Sequence, residues 1–156
     1  MILAAPLGPD QIAAVVPHQG TMCLLARVDA WDAQGIVCHA TNHRDTRHPL
    51  RTRSGLLSSC LIEYAAQAMA VHGALRGGAA ASAARPGLLA AARQVRLGLL
   101  KLDDLPPLHP DELRIEATCQ AADERQLLYG FTARHGATQL ASGRITVVLQ
   151  PPGHRA

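Results

Sequence analysis

A single carboxylate, that of Glu63, lies within an otherwise almost charge-free run, residues 56–71. A helix that is apolar on nearly every side belongs in the interior of a domain. An ionised glutamate in such a place would cost several kcal/mol, so we expect burial to hold Glu63 in its neutral form. A residue of this kind needs either a bonding partner or a chemical role.

Small side chains share the helix face of Glu63. Gln67 lies one turn later, at i+4, and the same stripe carries Ser59, Ala66 and Ala70. Space beside a neutral acid can hold a substrate, which favours a catalytic or binding role. The alternative is that Glu63 pairs with an arginine or a backbone amide in a close-packed interface.

Two histidines precede this helix and are candidates for a base. An imidazole titrates near neutral pH, and with a buried carboxyl group it forms an acid–base couple. His48 is the first candidate and His43 is the alternative, although either can simply be a solvated or capping residue. We expect His18 to be a structural hydrogen-bond donor, and His72 to pack or to bond a carbonyl group.

The length and composition indicate one domain with a substantial core. The chain has 156 residues and is 48% apolar but only 3% aromatic, so leucine, valine and alanine must fill the interior. We expect a single domain over residues 1–150 and a flexible tail over residues 151–156. No disulfide framework, metal site or cofactor is expected, because the four cysteines are scattered and no cofactor motif occurs. They are Cys23, Cys38, Cys60 and Cys119.

The charge balance argues against two classes of partner. Basic residues outnumber acidic ones by 15 to 12, which is too small an excess to indicate nucleic acid. No apolar run approaches the roughly 20 residues of a membrane span, and a cytoplasmic location is the default expectation. A group of arginines before the long helix can meet phosphate or an acidic partner protein, or can simply be solvated. It consists of Arg44, Arg47, Arg51 and Arg53.

Residue patterns predict two helices and six strands. Asp10 can cap a short helix over residues 11–16, and Ser54 can cap a long helix over residues 56–75. A low-complexity loop is predicted over residues 79–86. The predicted strands cover residues 22–31, 35–41, 88–102, 112–121, 126–134 and 139–149.

One long helix between two strands and a run of four more indicates an α+β architecture. No other element is long enough to cover the helix, so an antiparallel sheet has to wrap around it. A half-cylinder of this shape leaves one side of the helix open. A second copy of the chain is the obvious cover, and we expect a homodimer or a higher oligomer.

Three motifs resemble those of the hot-dog-fold 3-hydroxyacyl–acyl-carrier-protein dehydratases. Residues 17–28 (PHQGTMCLLARV) resemble the family opening PHR-x-P-x-LLLDRV. Residues 62–70 (IEYAAQAMA) resemble the helix motif E-x-(M/A)-AQ, and residues 111–116 (DELRIE) resemble the strand start GDxLRIE. The three matches come in family order. The chain is most similar to the divergent bacterial branch linked to aryl-polyene and related pigment clusters.

The resemblance carries two site residues onto this chain and also marks departures. Glu63 matches the catalytic acid of the family, and His48 falls within one residue of its catalytic histidine. Residues 48–51 read HPLR where the family has HFPG, and residues 54–56 read SGL where it has PGV. Ala26 replaces the aspartate of LLDRV.

The reaction that the resemblance implies is dehydration of a 3-hydroxyacyl thioester to the trans-2-enoyl thioester, as in fatty acid or polyketide biosynthesis. His48 would remove the proton next to the carbonyl, and Glu63 would protonate the departing hydroxyl. Backbone N–H groups near the helix N-terminus, around residues 55–57, would stabilise the enolate. The family forms a double hot-dog dimer in which the two catalytic residues meet across the interface.

Substrate and partner follow from the same resemblance. An acyl tunnel runs beside the helix in this family, and the small stripe of Ser59, Ala66 and Ala70 fits that use. Gln67 is a further predicted substrate contact. The substrate would arrive on an acyl carrier protein, with the arginine group as the docking rim. Two alternatives stay open: a hot-dog acyl thioesterase, and a catalytically degenerate acyl-binding or assembly partner.

Overall fold

A computed structural model describes residues 6–77 and 87–150. The predicted loop over residues 79–86 and the predicted tail over residues 151–156 lie outside the described residues. Two helices, six strands and short 3₁₀ turns occur within the described ranges. The longer elements are α1 (Pro9–Val15), β1 (Arg27–Trp31), β2 (Gly35–Ala40), α2 (Leu61–Arg76), β3 (Gly87–Leu97), β4 (Leu113–Ala122), β5 (Gln126–His135) and β6 (Thr138–Leu149).

The six strands form one antiparallel sheet in the order β1-β2-β4-β5-β6-β3. The strands that face α2 alternate buried and exposed residues, as the buried Leu113, Ile115 and Ala117 of β4 illustrate. The helix buries residues on most of its circumference, including Leu61, Tyr64, Ala65, Ala68, Met69 and Val71. The predicted α+β architecture, with an antiparallel sheet around one long helix, is therefore confirmed. No helix among the described residues is long and apolar enough to cross a membrane.

The hairpin turns form where the sequence predicts them. Asp32 Oδ1 accepts hydrogen bonds from the backbone N–H groups of Gln34 and Gly35 at 2.8 and 2.9 Å, which closes the β1–β2 turn. Asp123 repeats this arrangement between β4 and β5. Gly136 has a φ of 58° in the β5–β6 turn, a backbone conformation that glycine adopts without strain.

The long helix begins later than predicted, and Ser54 is not its cap. Residues 52–55 form a tight turn in which Thr52 and Gly55 exchange backbone hydrogen bonds. Residues 56–58 then run alongside residues 100–102, with Ser58 N–H donating to the Leu100 carbonyl at 2.9 Å. A 3₁₀ turn over Ser58–Cys60 leads into α2. Tertiary pairing has thus taken backbone groups that a helix would otherwise use.

The N-terminal expectations are also corrected in detail. Helix α1 begins at Pro9 after Gly8, so Asp10 lies in its first turn and is not the cap. Residues 22–26 are not part of a strand, because a 3₁₀ turn over Gly20–Met22 precedes β1. At the other edge of the sheet, β3 ends at Leu97 where the sequence predicts a strand to residue 102.

Candidate active site

An apolar groove follows one face of α2. Its volume is about 380 Å³. Glu63, Ala66, Ala70, Gly73 and Gly77 contribute to the helix side of the groove. From Glu63 to Gly77 the chain rises about 21 Å at helical geometry. Leu89, Leu127, Val147 and Leu149 form the opposite wall. The groove is therefore elongated and lined mainly by apolar side chains, which suits a hydrocarbon chain.

A histidine and a carboxylate meet in this groove. His18 Nε2 lies 2.9 Å from Glu63 Oε1, and the two side chains are 28% and 29% exposed. Glu63 is thus half-buried within the chain, not enclosed as the sequence suggests. The other ring nitrogen of His18, Nδ1, is buried and has no hydrogen-bond partner among the described residues. Both side chains line the groove, so a bound molecule contacts them directly.

Gln67 holds the segment that follows His18 against helix α2. Its Oε1 accepts from the backbone N–H of Leu24 at 2.9 Å, and its Nε2 donates to the carbonyl of Met22 at 2.6 Å. The same Nε2 donates to Glu63 Oε1 at 3.2 Å. Gln67 is 1% exposed, so it positions the pair and does not line the groove.

His48 makes a different set of contacts. The backbone N–H of Leu50 donates to His48 Nδ1 at 3.1 Å, which leaves the proton of the neutral ring on Nε2. This nitrogen donates to the hydroxyl of Tyr64 at 2.8 Å, and Tyr64 donates in turn to Asn42 Oδ1 at 2.5 Å. Burial lowers the pKa of His48, and Arg51 lowers it further. Within one chain, both ring nitrogens of His48 are therefore engaged away from Glu63.

The family of the chain follows from its sequence as a whole. The family model described as ApeP-like, ApeP dehydratase, matches residues 10–155. The chain belongs to the ApeP-like dehydratase family. A search of the curated proteins found no match.

Solved structures similar to this chain confirm the hot-dog fold. The dehydratase heterocomplex ApeI:P from Xenorhabdus doucetiae contains a chain that is 23% identical, with a TM-score of 0.76, over 94% of this chain and 93% of that one. A hypothetical thioesterase with coenzyme A from Streptococcus pneumoniae is 12% identical, with a TM-score of 0.53, over 80% and 84%. Cj0977 of Campylobacter jejuni is 14% identical, with a TM-score of 0.57, over 89% and 95%.

His43, the alternative base, belongs to a polar cluster in which the two histidines, His43 and His135, are buried. Asp111 Oδ1 lies 3.1 Å from His43 Nε2 and 2.7 Å from His135 Nε2, and its Oδ2 accepts from Arg44 Nε at 2.9 Å. Burial lowers the pKa of His43, whereas Arg44 holds that of Asp111 well below its usual range. The two imidazoles and the carboxylate of Asp111 are spaced closely enough to hold a metal ion. The guanidinium of Arg44, however, already neutralises that carboxylate. The cluster ties the loop after β2 to β4 and β5.

The predicted enolate donors and substrate contacts are mostly elsewhere. The N–H of Gly55 donates to Thr52, and the N–H of Leu56 donates to Asp103 Oδ2 at 2.7 Å. Neither amide is free for a substrate oxygen. Of the five predicted substrate-binding residues, only Ala70 lines the groove. The others are Gly55, Leu56, Ser59 and Gln67.

The arginine group divides into two fixed and two exposed members. Arg44 bonds Asp111 and two backbone carbonyls, and Arg51 bonds Asp103 and the carbonyl of His43. These two side chains stabilise the loop. Arg47 is 89% exposed, and Arg53 is exposed as well. Arg47 lies 3.6 Å from Asp45, and this second pair is the more exposed half of the group.

The sequence signal for His18 lies in the segment that resembles PHR-x-P-x-LLLDRV. The segment has no helical or strand period around His18, which is typical of a loop fixed by side-chain contacts. Spacing does not predict the position of His18, because Gln67 fixes the segment after it through the backbone of Met22 and Leu24, which are far from Gln67 along the chain. His72 behaves as expected: it bonds the carbonyl of Asp32 at 2.7 Å.

Proposed function

We propose that this chain dehydrates 3-hydroxyacyl thioesters to trans-2-enoyl thioesters and that Glu63 and His18 are the acid–base pair. The observation that carries the proposal is the 2.9 Å contact between their side chains in the apolar groove along α2. Membership of a dehydratase family supports the reaction class. The acyl chain lies in the groove. Cα and the β-hydroxyl, near the thioester end of the substrate, lie beside His18 and Glu63.

The pair supplies both proton transfers that dehydration needs. Neutral His18 removes a proton from Cα, the C=C bond forms, and the C–O bond breaks as protonated Glu63 gives its proton to the departing hydroxyl. Water leaves, and the pair is left as imidazolium and carboxylate. A proton transfer from His18 back to Glu63, across their contact, restores the starting state.

His48 stays a second proposed base, reached across a subunit interface as in the related dehydratases that the sequence resembles. In that case its Nδ1 must give up the hydrogen bond from Leu50 to accept a proton. The acyl carrier protein remains the proposed substrate carrier, and Arg47 and Arg53 are its proposed docking residues.

We further propose that the chain works beside a second hot-dog subunit. The similar structure from Xenorhabdus doucetiae is a dehydratase heterocomplex. A homodimer, as the sequence predicts, is the alternative. Either arrangement covers the side of the groove that the sheet leaves open.

The test is a turnover assay with 3-hydroxyacyl thioesters of carrier protein and of coenzyme A. Enoyl absorbance is followed alongside release of free thiol. We expect enoyl product without thiol, and E63Q should reduce the rate by about 10²–10⁴-fold. E116Q is the matched control, since Glu116 pairs with Arg114 on the outer face of the sheet.

Two results would contradict the proposal. Free thiol without enoyl product indicates a thioesterase. No product of either kind, with acyl binding that E63Q leaves unchanged, indicates a degenerate acyl-binding subunit.

A further inference from the structure

The two edges of the sheet differ in how they are covered. At the β1 edge, Leu7 and Val28 exchange two backbone hydrogen bonds of 3.0 Å, so part of this short strand is already paired. At the other edge, β3 has 11 residues, nine of them exposed. Leu88 is 70% exposed and Leu97 is 44% exposed. A long strand that exposes leucine on an unpaired edge is a template for pairing with another chain.

Three arginines stand together at this edge. Arg93 and Arg96 are on β3, and Arg144 is the residue of β6 directly opposite Arg93. The register places all three on the outer face of the sheet, where like charges directly opposite are destabilising. Neither β3 nor β6 contains an acidic residue. None of the three arginines forms an ion pair within residues 6–77 and 87–150.

The acidic residue in the same row of the sheet is already paired within its own strand. Glu116 is aligned with Arg96 through Thr132 and Ser142. It lies three strands away, a spacing of about 14 Å. Glu116 is also paired with Arg114 at 2.6 Å. Among the described residues, the β3 edge therefore carries three arginines without an ion-pair partner beside exposed leucines.

A second copy of this chain is a poor match for such an edge. Antiparallel pairing of β3 with its own copy about a two-fold axis near residues 93–96 brings Arg93 and Arg96 close to the same residues of the copy. Each copy also adds its Arg144. Like-charge juxtaposition across an interface costs several kcal/mol, whereas aspartate or glutamate in the facing strand would form charge-assisted hydrogen bonds with these guanidinium groups.

We propose that Arg93, Arg96 and Arg144 select the subunit that pairs with β3. They admit a hot-dog subunit whose facing edge strand carries aspartate or glutamate, and they reject a second copy of this chain. The inference rests on the proposed function only for the fold of that subunit. Its test measures assembly without turnover, so the two proposals fail separately.

The probe is this same chain with its edge charge reversed, R93E/R96E. We expect wild type alone and R93E/R96E alone to remain monomeric at low salt. Their mixture should form a 1:1 complex whose dissociation constant is at least about tenfold lower than that of either self-association. Sedimentation at low and high salt measures this, and salt should weaken the mixed complex.

Two further variants complete the experiment. R47E/R53E carries the same change in charge on the loop before α2, so its mixture with wild type should not associate. R93Q/R96Q removes the repulsion without creating attraction, so it should self-associate more strongly than wild type. If R93E/R96E does not fold, this variant alone tests the proposal. The proposal is overturned if wild type dimerises as tightly as the mixture. It is equally overturned if the mixture stays monomeric, in which case the arginines only protect an edge strand.

Discussion

His18 and His48 differ in burial and in hydrogen bonding within the same small domain. His48 is buried, both of its ring nitrogens are hydrogen-bonded, and its partners are a backbone amide and the hydroxyl of Tyr64. His18 is partly exposed, contacts Glu63 and lines an apolar groove. Both histidines adjoin a proline, Pro17 and Pro49, so the local sequence does not separate them. The difference lies in the tertiary contacts, which engage both ring nitrogens of His48 and leave His18 at the wall of the groove.

The strongest way to break this comparison is to exchange the two histidines for asparagine. H18N should lower the rate of dehydration by about 10²–10⁴-fold, because one proton transfer loses its carrier. H48N should lower it by less than about tenfold. Steady-state kinetics on the same 3-hydroxyacyl thioester measure both. Equal losses in the two variants would return the role of base to His48.

Removing Gln67 tests whether the two segments at the groove are held by one side chain. Q67A should lower the rate by about 10–100-fold, since misplacing a catalytic group by an ångström has effects of that order. It should also lower the free energy of unfolding by about 1–3 kcal/mol, because Leu24 N–H and the Met22 carbonyl lose their partner. Kinetics and urea unfolding check the two parts. An unchanged rate with lowered stability would leave Gln67 a structural residue only.

Filling the groove sharpens the assignment of the acyl site. A70L adds carbon to the helix wall about two turns from Glu63. We expect the kcat/KM of long acyl chains to fall about tenfold, while that of a four-carbon substrate changes little. A series of chain lengths provides the measurement. Uniform loss at every length would place the acyl chain elsewhere.

The pH dependence of stability provides the smallest effect. Burial lowers the pKa of His43 and of His48 below the ordinary value of 6.5. Between the lowered values and 6.5 the unfolded chain binds more protons than the folded chain, so stability is full above pH 6.5 and is lost as pH falls. Urea unfolding from pH 7 to pH 5 should show this decline. H48N should make the decline shallower, and H18N should serve as the comparison.

Sequence patterns predict the fold far better than they predict the site. Period-two alternation identifies β4, β5 and β6 to within one or two residues, because these strands each present one face to α2. The start of α2 was misplaced because residues 56–58 pair with a distant segment, which no local propensity encodes. The cap at Ser54 fails for the same reason.

The sequence singles out part of the group of residues at the groove. Glu63 stands out because an acidic residue in an apolar helix is rare, and Gln67 follows from helical spacing. The position of His18 depends on a glutamine that bonds two backbone groups far away in the chain, and nothing local signals it. The deep burial expected for Glu63 also depends on tertiary structure: the groove beside the helix leaves its carboxyl group partly exposed.

Gln67 also constrains which substitutions this helix can accept over evolutionary time. The backbone fixes the orientation of its amide group. Leu24 N–H donates to the amide oxygen, and the Met22 carbonyl accepts from the amide nitrogen. A glutamate has the same shape, but its second oxygen would face the Met22 carbonyl and the carboxyl group of Glu63. Position 63 can hold an acid because position 67 holds an amide. A substitution at either position therefore changes the hydrogen bonding of the other.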